Sequence, residues 1–369
     1  MDILGLDENF APVSYLKYLN LQWKRRYYEP GQFSVQILAS SYDPAIRYVY
    51  SPDRPEVGLA EKIQLTHDVK GDFVQLSGTF LESVLSRCYA YPHITGEFSL
   101  YALGRNFIED RPTQDAPVRP DWWYRLDEFG ITVDAATPRN ITVNVDWQDE
   151  PLGECAYSTL KTLEMSQRIV YNPGTGKLTW LPWKGLDRTQ DQSVNGWALF
   201  ADDSRYVTRF NYTEDESGYR NHAVVFYGRD SIGDPYRHDV YGDNWVEEGR
   251  RCILMNVDDT LDAVGRTKKA KEELLKYPIV QEADIDVIQD GLLYLTDYDL
   301  GDKCDVACHA LGKSFSARIT GVDEVWKGGR HTVGLTLGES TRTAYQRVAR
   351  FARSDTRARS LPVVTVMEE

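Results

Sequence analysis

The sequence predicts a mainly β protein with a few helices, a β-rich α+β chain. Three observations carry this. Residues that suit pleated surfaces are abundant, with 23 tyrosines and 9 tryptophans among 369 residues. Several short segments alternate apolar and polar residues with period two, as half-buried strands do. Turns bearing glycine or proline separate those segments.

The first third reads as strands. "GQFSVQI" (31–37) sets Phe33, Val35 and Ile37 against Gln32, Ser34 and Gln36, led in by Pro30-Gly31. "KIQLTHDVKGDFVQLSG" (62–78) reads as a hairpin turned at Lys70-Gly71-Asp72. A short helix is expected next, with Thr79 and Glu82 as a capping box and Phe80, Val84 and Cys88 on one face. Residues 109–138 hold Pro112, Pro117, Pro120 and Pro138 and read as loop. "NITVNVDW" (140–147) alternates again, and "AYSTLKTLEMSQRIV" (156–170) suggests a helix through Leu160, Leu163 and Gln167. "YNPGTGKLTWLPW" (171–183) looks like a tight hairpin around Gly174 and Gly176. More strands follow over 197–228, the strongest helix pattern covers 260–277, and 291–338 returns to strands and turns. The hairpin at 62–78 has a weak echo in "RITGVDEVWKGGRHTVGLTLG" (318–338), which fits a true repeat and a chance likeness equally.

Composition bounds the function. At 27% charged and 42% hydrophobic residues the chain has the balance of a globular protein, long enough for two to four domains. A net charge of −14 repels phosphate backbones, so sequence-specific nucleic-acid binding is not expected. No apolar run is long enough for a membrane helix, so no membrane insertion is expected. The opening MDILGLDENF lacks the marks of a signal peptide, so Sec-type export is not expected and the sequons at Asn140 and Asn211 read as chance. Cys88, Cys155, Cys252, Cys304 and Cys308 are odd in number and scattered, which argues against a disulfide framework.

The stretch "YLTDYDLGDKCDV" (294–306) gathers Asp297, Asp299, Asp302 and Asp305 around Gly301. Counted from Asp297 as a calcium loop, it puts Gly301 where a ligand belongs, Asp302 where the glycine belongs and Cys308 where the closing glutamate belongs. A turn at Leu300-Gly301-Asp302 fits better, with Cys304 and Val306 starting the next strand on one face. Cys304, Cys308 and His309 lack the spacing and fourth ligand of a structural zinc site and read as core residues and a neighbour. The common nucleophile, metalloprotease, P-loop and dinucleotide motifs are missing, and no carboxylate pair stands out as a glycosidase centre. "WKGLDRTQ" (183–190) reads as a glycine turn followed by an Asp187–Arg188 ion pair. Gly185 and Gly301 are both expected to supply positive φ. No catalytic, cofactor-binding or metal-binding residue is assigned, and no cofactor is expected.

Several of these segments, in order, resemble the tail hub (tail-associated) proteins of siphophages, which are similar to contractile-phage baseplate hubs. They are "WKRRYYEPGQFSVQI" (23–37), "LTWLPWKGLDRT" (178–189), "SGYRNHAVVFYG" (217–228), and "YDLGDKCDV" (298–306) with "SARITGVDE" (316–324) and "GLTLG" (334–338). Cys304 departs from the pattern, which more often has a β-branched residue there. The resemblance implies a structural, non-enzymatic virion protein of the tail tip, made in the host cytoplasm. It implies a homotrimer whose two tube-like antiparallel β-barrels per chain make a pseudo-sixfold ring, continuing the tail tube for DNA ejection. By analogy the first barrel is 1–105 and the second is split over 195–230 and 285–340. Outer α+β domains then take 106–194 and 231–284, and 341–369 is a basic C-terminal helix and tail. The implied partners are the distal tail protein, the tail tube and tape measure proteins, and a tip fibre or spike protein. A negative wall independently suits a conduit that must not hold DNA.

Two alternatives remain. A tail-associated peptidoglycan hydrolase would need a lytic domain after the barrels, where about 30 residues follow Gly338. A carbohydrate-binding tail protein would need exposed aromatics, for which Trp122-Trp123-Tyr124 beside Asp121 is the candidate. In "TRTAYQRVARFARSDTRARS" (341–360), Tyr345, Val348, Phe351 and Ala352 share a helical face. Six arginines there face Asp355 alone, which suits folding back onto the acidic body, docking a partner, or plain disorder.

Overall fold

The structure, a computed structural model, describes residues 1–69, 71–90, 93–109, 129–229, 236–242, 249–257 and 260–338. The expected aromatic segment 121–124 and the basic segment 341–360 lie outside the described residues. Two units divide the described chain: Met1–Phe210 with Asp284–Leu337, and Asn211–Ala283 with Gly338.

The first unit opens with strands β1 (Leu4–Leu6), β2 (Pro12–Tyr15), β3 (Tyr18–Arg26), β4 (Gln32–Leu38), β5 (Tyr48–Tyr50), β6 (Val57–Asp68) and β7 (Gly71–Phe80). Strand β4 is the expected one, with Phe33, Val35 and Ile37 buried. The β6–β7 hairpin also forms, but pairing runs on to Asp68 opposite Gly71, so Gly71 and Asp72 belong to the second strand. A 3-10 helix, Leu81–Arg87, follows. Its capping box does not form. Thr79 Oγ1 donates to Glu61, while the Glu82 carboxylate turns inward and accepts the Ile169 N–H at 3.1 Å.

Next come β8 (Ile94–Ser99), α1 (Leu100–Phe107), β9 (Ile131–Val133), β10 (Thr142–Trp147), α2 (Leu152–Thr162), β11 (Ser166–Asn172) and β12 (Lys177–Trp183). Strand β10 alternates as read, burying Val143, Val145 and Trp147. The helix expected at 156–170 is displaced: α2 starts at Leu152 and ends at Thr162. Glu164 then takes a left-handed conformation (φ 56°), and the β-forming run Ile169-Val170-Tyr171 extends as strand. Gln167 is therefore a buried strand residue, accepting the Trp180 Nε1–H at 2.8 Å. Gly176, at φ 66°, turns the β11–β12 hairpin. Leu100, Leu103, Phe107, Trp147, Leu152 and Trp180 share one core with Leu6, Tyr48, Tyr50 and Val57.

After β13 (Leu199–Ala201) the chain leaves the first unit within β14 (Val207–Asp215). The second unit holds β15 (His222–Arg229), β16 (Tyr236–Tyr241), β17 (Cys252–Asn256) and α3 (Ala263–Leu274), the helix read at 260–277. Asp262 caps α3 by accepting the Gly265 N–H at 2.7 Å. Ala270 of α3 packs with Ala223 and Val225 of the β16-β15-β17 sheet. The chain re-enters the first unit within β18 (Val280–Val287) and ends its described part with β19 (Lys303–Cys308), β20 (Lys313–Lys327) and β21 (Arg330–Gly338).

Thirteen strands join in one large sheet, whose main path runs β14-β18-β21-β20-β3-β4-β7-β6-β5-β1-β2, with β13 and β19 branching from β20. The fold is thus mainly β, as expected. The path has two ends, and no closed barrel forms among the described residues. Among those residues no helix is long and apolar enough to cross a membrane, which says nothing of strands.

Candidate functional site

The motifs that stood out in the sequence meet in the first unit, around a buried network of charge. Strand β3 explains its first member. Leu21, Trp23 and Arg25 alternate onto the core side of β3, so the period that buries two apolar residues also buries a guanidinium. Arg25 is 1% exposed. Its Nε donates to Glu56 at 2.7 Å, and its Nη1 donates to Asp299 at 2.6 Å and to the Tyr294 hydroxyl. Burial works against the Arg25 charge, but Glu56, Tyr294 and Asp299 outweigh it and hold the proton firmly.

A β-bulge supplies the second member. The β20–β21 register shifts between Ile319 and Gly321. Before the shift Ala317 and Ile319 face inward, and after it Val322 and Glu324 do. Glu324 is fully buried there, and Arg54 grips it with both Nε and Nη2. His331 adds a contact at 3.3 Å. Burial alone would raise the Glu324 pKa, but His331 and Arg54 together bring it below the usual glutamate value. The Arg54 guanidinium also lies 5.4 Å from the Tyr294 ring centre, which joins the two halves.

The carboxylate cluster around Gly301 is indeed a turn, with Gly301 at φ 84°. Its aspartates divide the labour. Asp297 accepts the Leu293 N–H, and Asp299 binds Arg25. Asp302 is buried and accepts the N–H groups of Leu186 (2.7 Å) and Asp299 (3.0 Å) as well as Arg188 Nε. Asp305 accepts from Gln190, Trp197 and Ser316. Cys304 and Val306 begin the next strand fully buried, as expected.

"WKGLDRTQ" docks on this turn. Its ion pair differs from the expected one: Arg188 pairs with Asp302, while Asp187 caps Thr189 through that residue's N–H and hydroxyl. Gly185 also has a different reason to be glycine. Its φ is not positive. A Cβ there would meet Gly301 C and O at 2.0 Å, so the two backbones touch. Tyr27 closes the junction, edge-on to Trp183, its hydroxyl donating to Glu164 O at 3.1 Å. Burial pushes the Tyr27 hydroxyl up to about 12, partly opposed by Arg318.

Every charge in this assembly is committed to another group of the same chain. Chemically it is a clamp that fixes β3, the 183–190 segment and the 294–306 turn to one another. The sequence did not single out Arg25, Arg54, Glu56 or Glu324. Arg25 carried a local signal, its place in the inward alternation of β3. Cys304, Cys308 and His309 are not brought into one metal-holding group. Among the described residues the one group of that kind is Asp202, Asp203 and His309. Both Asp202 oxygens there already accept backbone N–H groups, from His309 at 2.9 Å and Ala310 at 3.0 Å.

Comparison with known proteins agrees with the fold. The profile of the family described as "Siphovirus ReqiPepy6 Gp37-like protein" matches residues 103–339. Among solved structures, a tail protein from Neisseria meningitidis MC58 is 13% identical with a TM-score of 0.57, over 92% of this chain and 96% of that one. The prophage MuSo2 43 kDa tail protein from Shewanella oneidensis is 11% identical with a TM-score of 0.58, over 91% and 98%. Prophage tail protein gp18 from Listeria monocytogenes EGD-e is 15% identical with a TM-score of 0.53, over 96% and 99%. At such identities the likeness is one of fold. No curated protein matches significantly.

Proposed function

Given that the chain belongs to the siphovirus ReqiPepy6 Gp37-like family of phage tail proteins, we propose that it is the hub of the tail tip. Three copies would form a pseudo-sixfold ring that continues the tail tube and lets DNA pass. Each chain would give the ring two tube-like halves, from 1–105 and from 195–230 with 285–340. Residues 106–194 and 231–284 would lie outside the tube wall. The distal tail, tube and tape measure proteins and a tip fibre or spike are the matching partners, with 341–369 a candidate docking segment.

The observation that carries this reading is the order of the large sheet. Hairpins β6–β7 and β20–β21 flank the central β3–β4 pair, and each has a bulge in one strand, at Ala60/Lys62 and at Ile319/Gly321. The two hairpins whose sequences weakly echo each other thus lie on either side of the same central pair. The outer flank of β6 also suits a neighbouring copy. Along β6, strand β5 pairs with Val57–Leu59. Beyond them, Ile63 (48% exposed) and Leu65 (66%) sit opposite the buried Leu76 and Val74. They continue the core side of the sheet with little to cover them. A head-to-tail contact there would close a ring rather than a pair.

Light scattering of the purified protein, with and without its tail partners, tests the reading. A trimer supports it. A monomer under both conditions, or a two-fold dimer that buries the β6 edge, refutes it.

A further inference from the structure

Ten buried side-chain atoms of the described residues lack a protein hydrogen-bond partner, and half of them belong to residues around one cavity in the first unit. Three are donors: Arg25 Nη2, Arg168 Nε and Trp183 Nε1. Two are carboxyl oxygens: Glu56 Oε2 and Glu82 Oε2. Chance clustering is a poor explanation, because unmet buried polar groups are costly and folded proteins have few of them. We propose that this cavity is an internal water site, in which one ordered water is held between the Glu56 and Glu82 carboxyl groups and the donors of Arg25, Arg168 and Trp183.

Size selects the occupant. The space open to the centre of a water molecule is about 10 Å³. That is roughly the minimum for one water, with no room for a larger solute. Charge selects a neutral one. The guanidinium groups of Arg25 and Arg168 line this space together with the Glu56 carboxylate, and Arg26 and Glu29 also line it. An added ion of either sign would meet like charges. Water, both donor and acceptor, can bond to members of both sets, up to four of the five atoms at once.

The protonation of Glu82 fits this arrangement. It sits on the 3-10 helix, facing Tyr157 of α2, Arg168 of β11 and Glu56 beside β6. Burial pushes its carboxyl up to about 7; Glu56 adds to the rise, and the Ile169 N–H and Arg168 oppose it. Near and below neutral pH Glu82 thus holds a proton that it can donate to the water. The unfolded chain releases that proton at the ordinary glutamate pKa, about 4.3. The folded state therefore binds the extra proton, and its contribution to stability is complete at low pH and lost as pH rises through about 7.

A crystal structure of the intact chain, at a resolution that shows ordered water, tests the site without any substitution. The expected result is one water within hydrogen-bond distance of Glu82 Oε2 and at least one of the three donors. A dry cavity with the five atoms paired directly to one another overturns the proposal. Thermal unfolding of wild type and Glu82→Gln against pH tests the proton. The wild-type melting temperature should fall relative to the variant between about pH 5 and about pH 8. Parallel curves would overturn the assignment of that proton to Glu82.

Discussion

Gly185→Ala should be among the most damaging single-methyl changes in this protein. The added Cβ would lie 2.0 Å from both C and O of Gly301 and 2.4 Å from Asp302 N. Comfortable carbon contacts are about 3.5–4.0 Å, so the overlap is deep. All the atoms struck are backbone, and three hydrogen bonds hold them in place. Gly301 N–H donates to Ile319 O, Lys303 N–H to Leu186 O, and Leu186 N–H to Asp302, each at 2.7–2.8 Å. Relief requires moving the two segments apart and loosening at least two of these bonds. Overpacking costs about 1–3 kcal/mol, and each hydrogen bond roughly 1 kcal/mol. The sum, about 3–5 kcal/mol, is a large part of the ~5–15 kcal/mol that holds a domain folded. Gly196→Ala is the control. Its nearest neighbour would be Arg188 Nη1 at 3.9 Å and its φ is not positive, so it should stabilise by about 0.4–1 kcal/mol. Urea unfolding followed by tryptophan fluorescence reads both, as a shift in midpoint at constant slope. If Gly185→Ala unfolds within about 0.5 kcal/mol of wild type, in the range of an ordinary surface substitution, the backbone contact does not exist as described.

Other outcomes follow from the same network. Gly301→Ala should cost about 1–2 kcal/mol for the left-handed backbone alone, and more because its Cβ would meet the Tyr27 ring at 2.4 Å. Equal stability would contradict the turn. Arg25→Met leaves Glu56 buried without its partner and should cost about 3–5 kcal/mol by the same denaturation assay; a loss below about 1 kcal/mol, the size of an exposed ion pair, would mean that the pair is open to water. Glu324, whose folded pKa is lowered, contributes stability above its unfolded value and loses it as pH falls through the folded one. Glu324→Gln should therefore flatten the acid side of the stability profile, and an unchanged acid side would refute that role. In a thiol-labelling experiment on the native protein, exposed Cys252 should react first. Cys155, pushed up to about 12 by burial, and Cys304, also raised by burial, should wait for unfolding. Labelling of Cys304 at the rate of Cys252 would show that the β19 core is open.

The sequence by itself determined what depends on near neighbours. Period-two alternation predicted β4 and β10 and the side each one buries, because a strand's facing is decided two residues at a time. The glycine turn at 301 was legible for the same reason, as was α3, though its Asp262 cap came from the structure. Local signals failed where a distant segment competed for the same atoms. Glu82 could have closed a capping box with Thr79, but Ile169 takes its carboxylate. Asp187 stands beside Arg188 in sequence, yet the arginine reaches Asp302. Residues 166–170 carry an acceptable helical pattern, but the β12 strand and the turn at Glu164 draw them into a sheet. The charge network belongs almost wholly to tertiary structure. Arg25 finds Asp299 274 residues away, and Arg54 finds Glu324 270 residues away. Glu324 faces inward only because the bulge between Ile319 and Gly321 reverses the alternation of β20. One extra residue in a strand changes which face every later side chain occupies, and its position is fixed by the pairing of β20 with β3 and β21 rather than by the residues beside it.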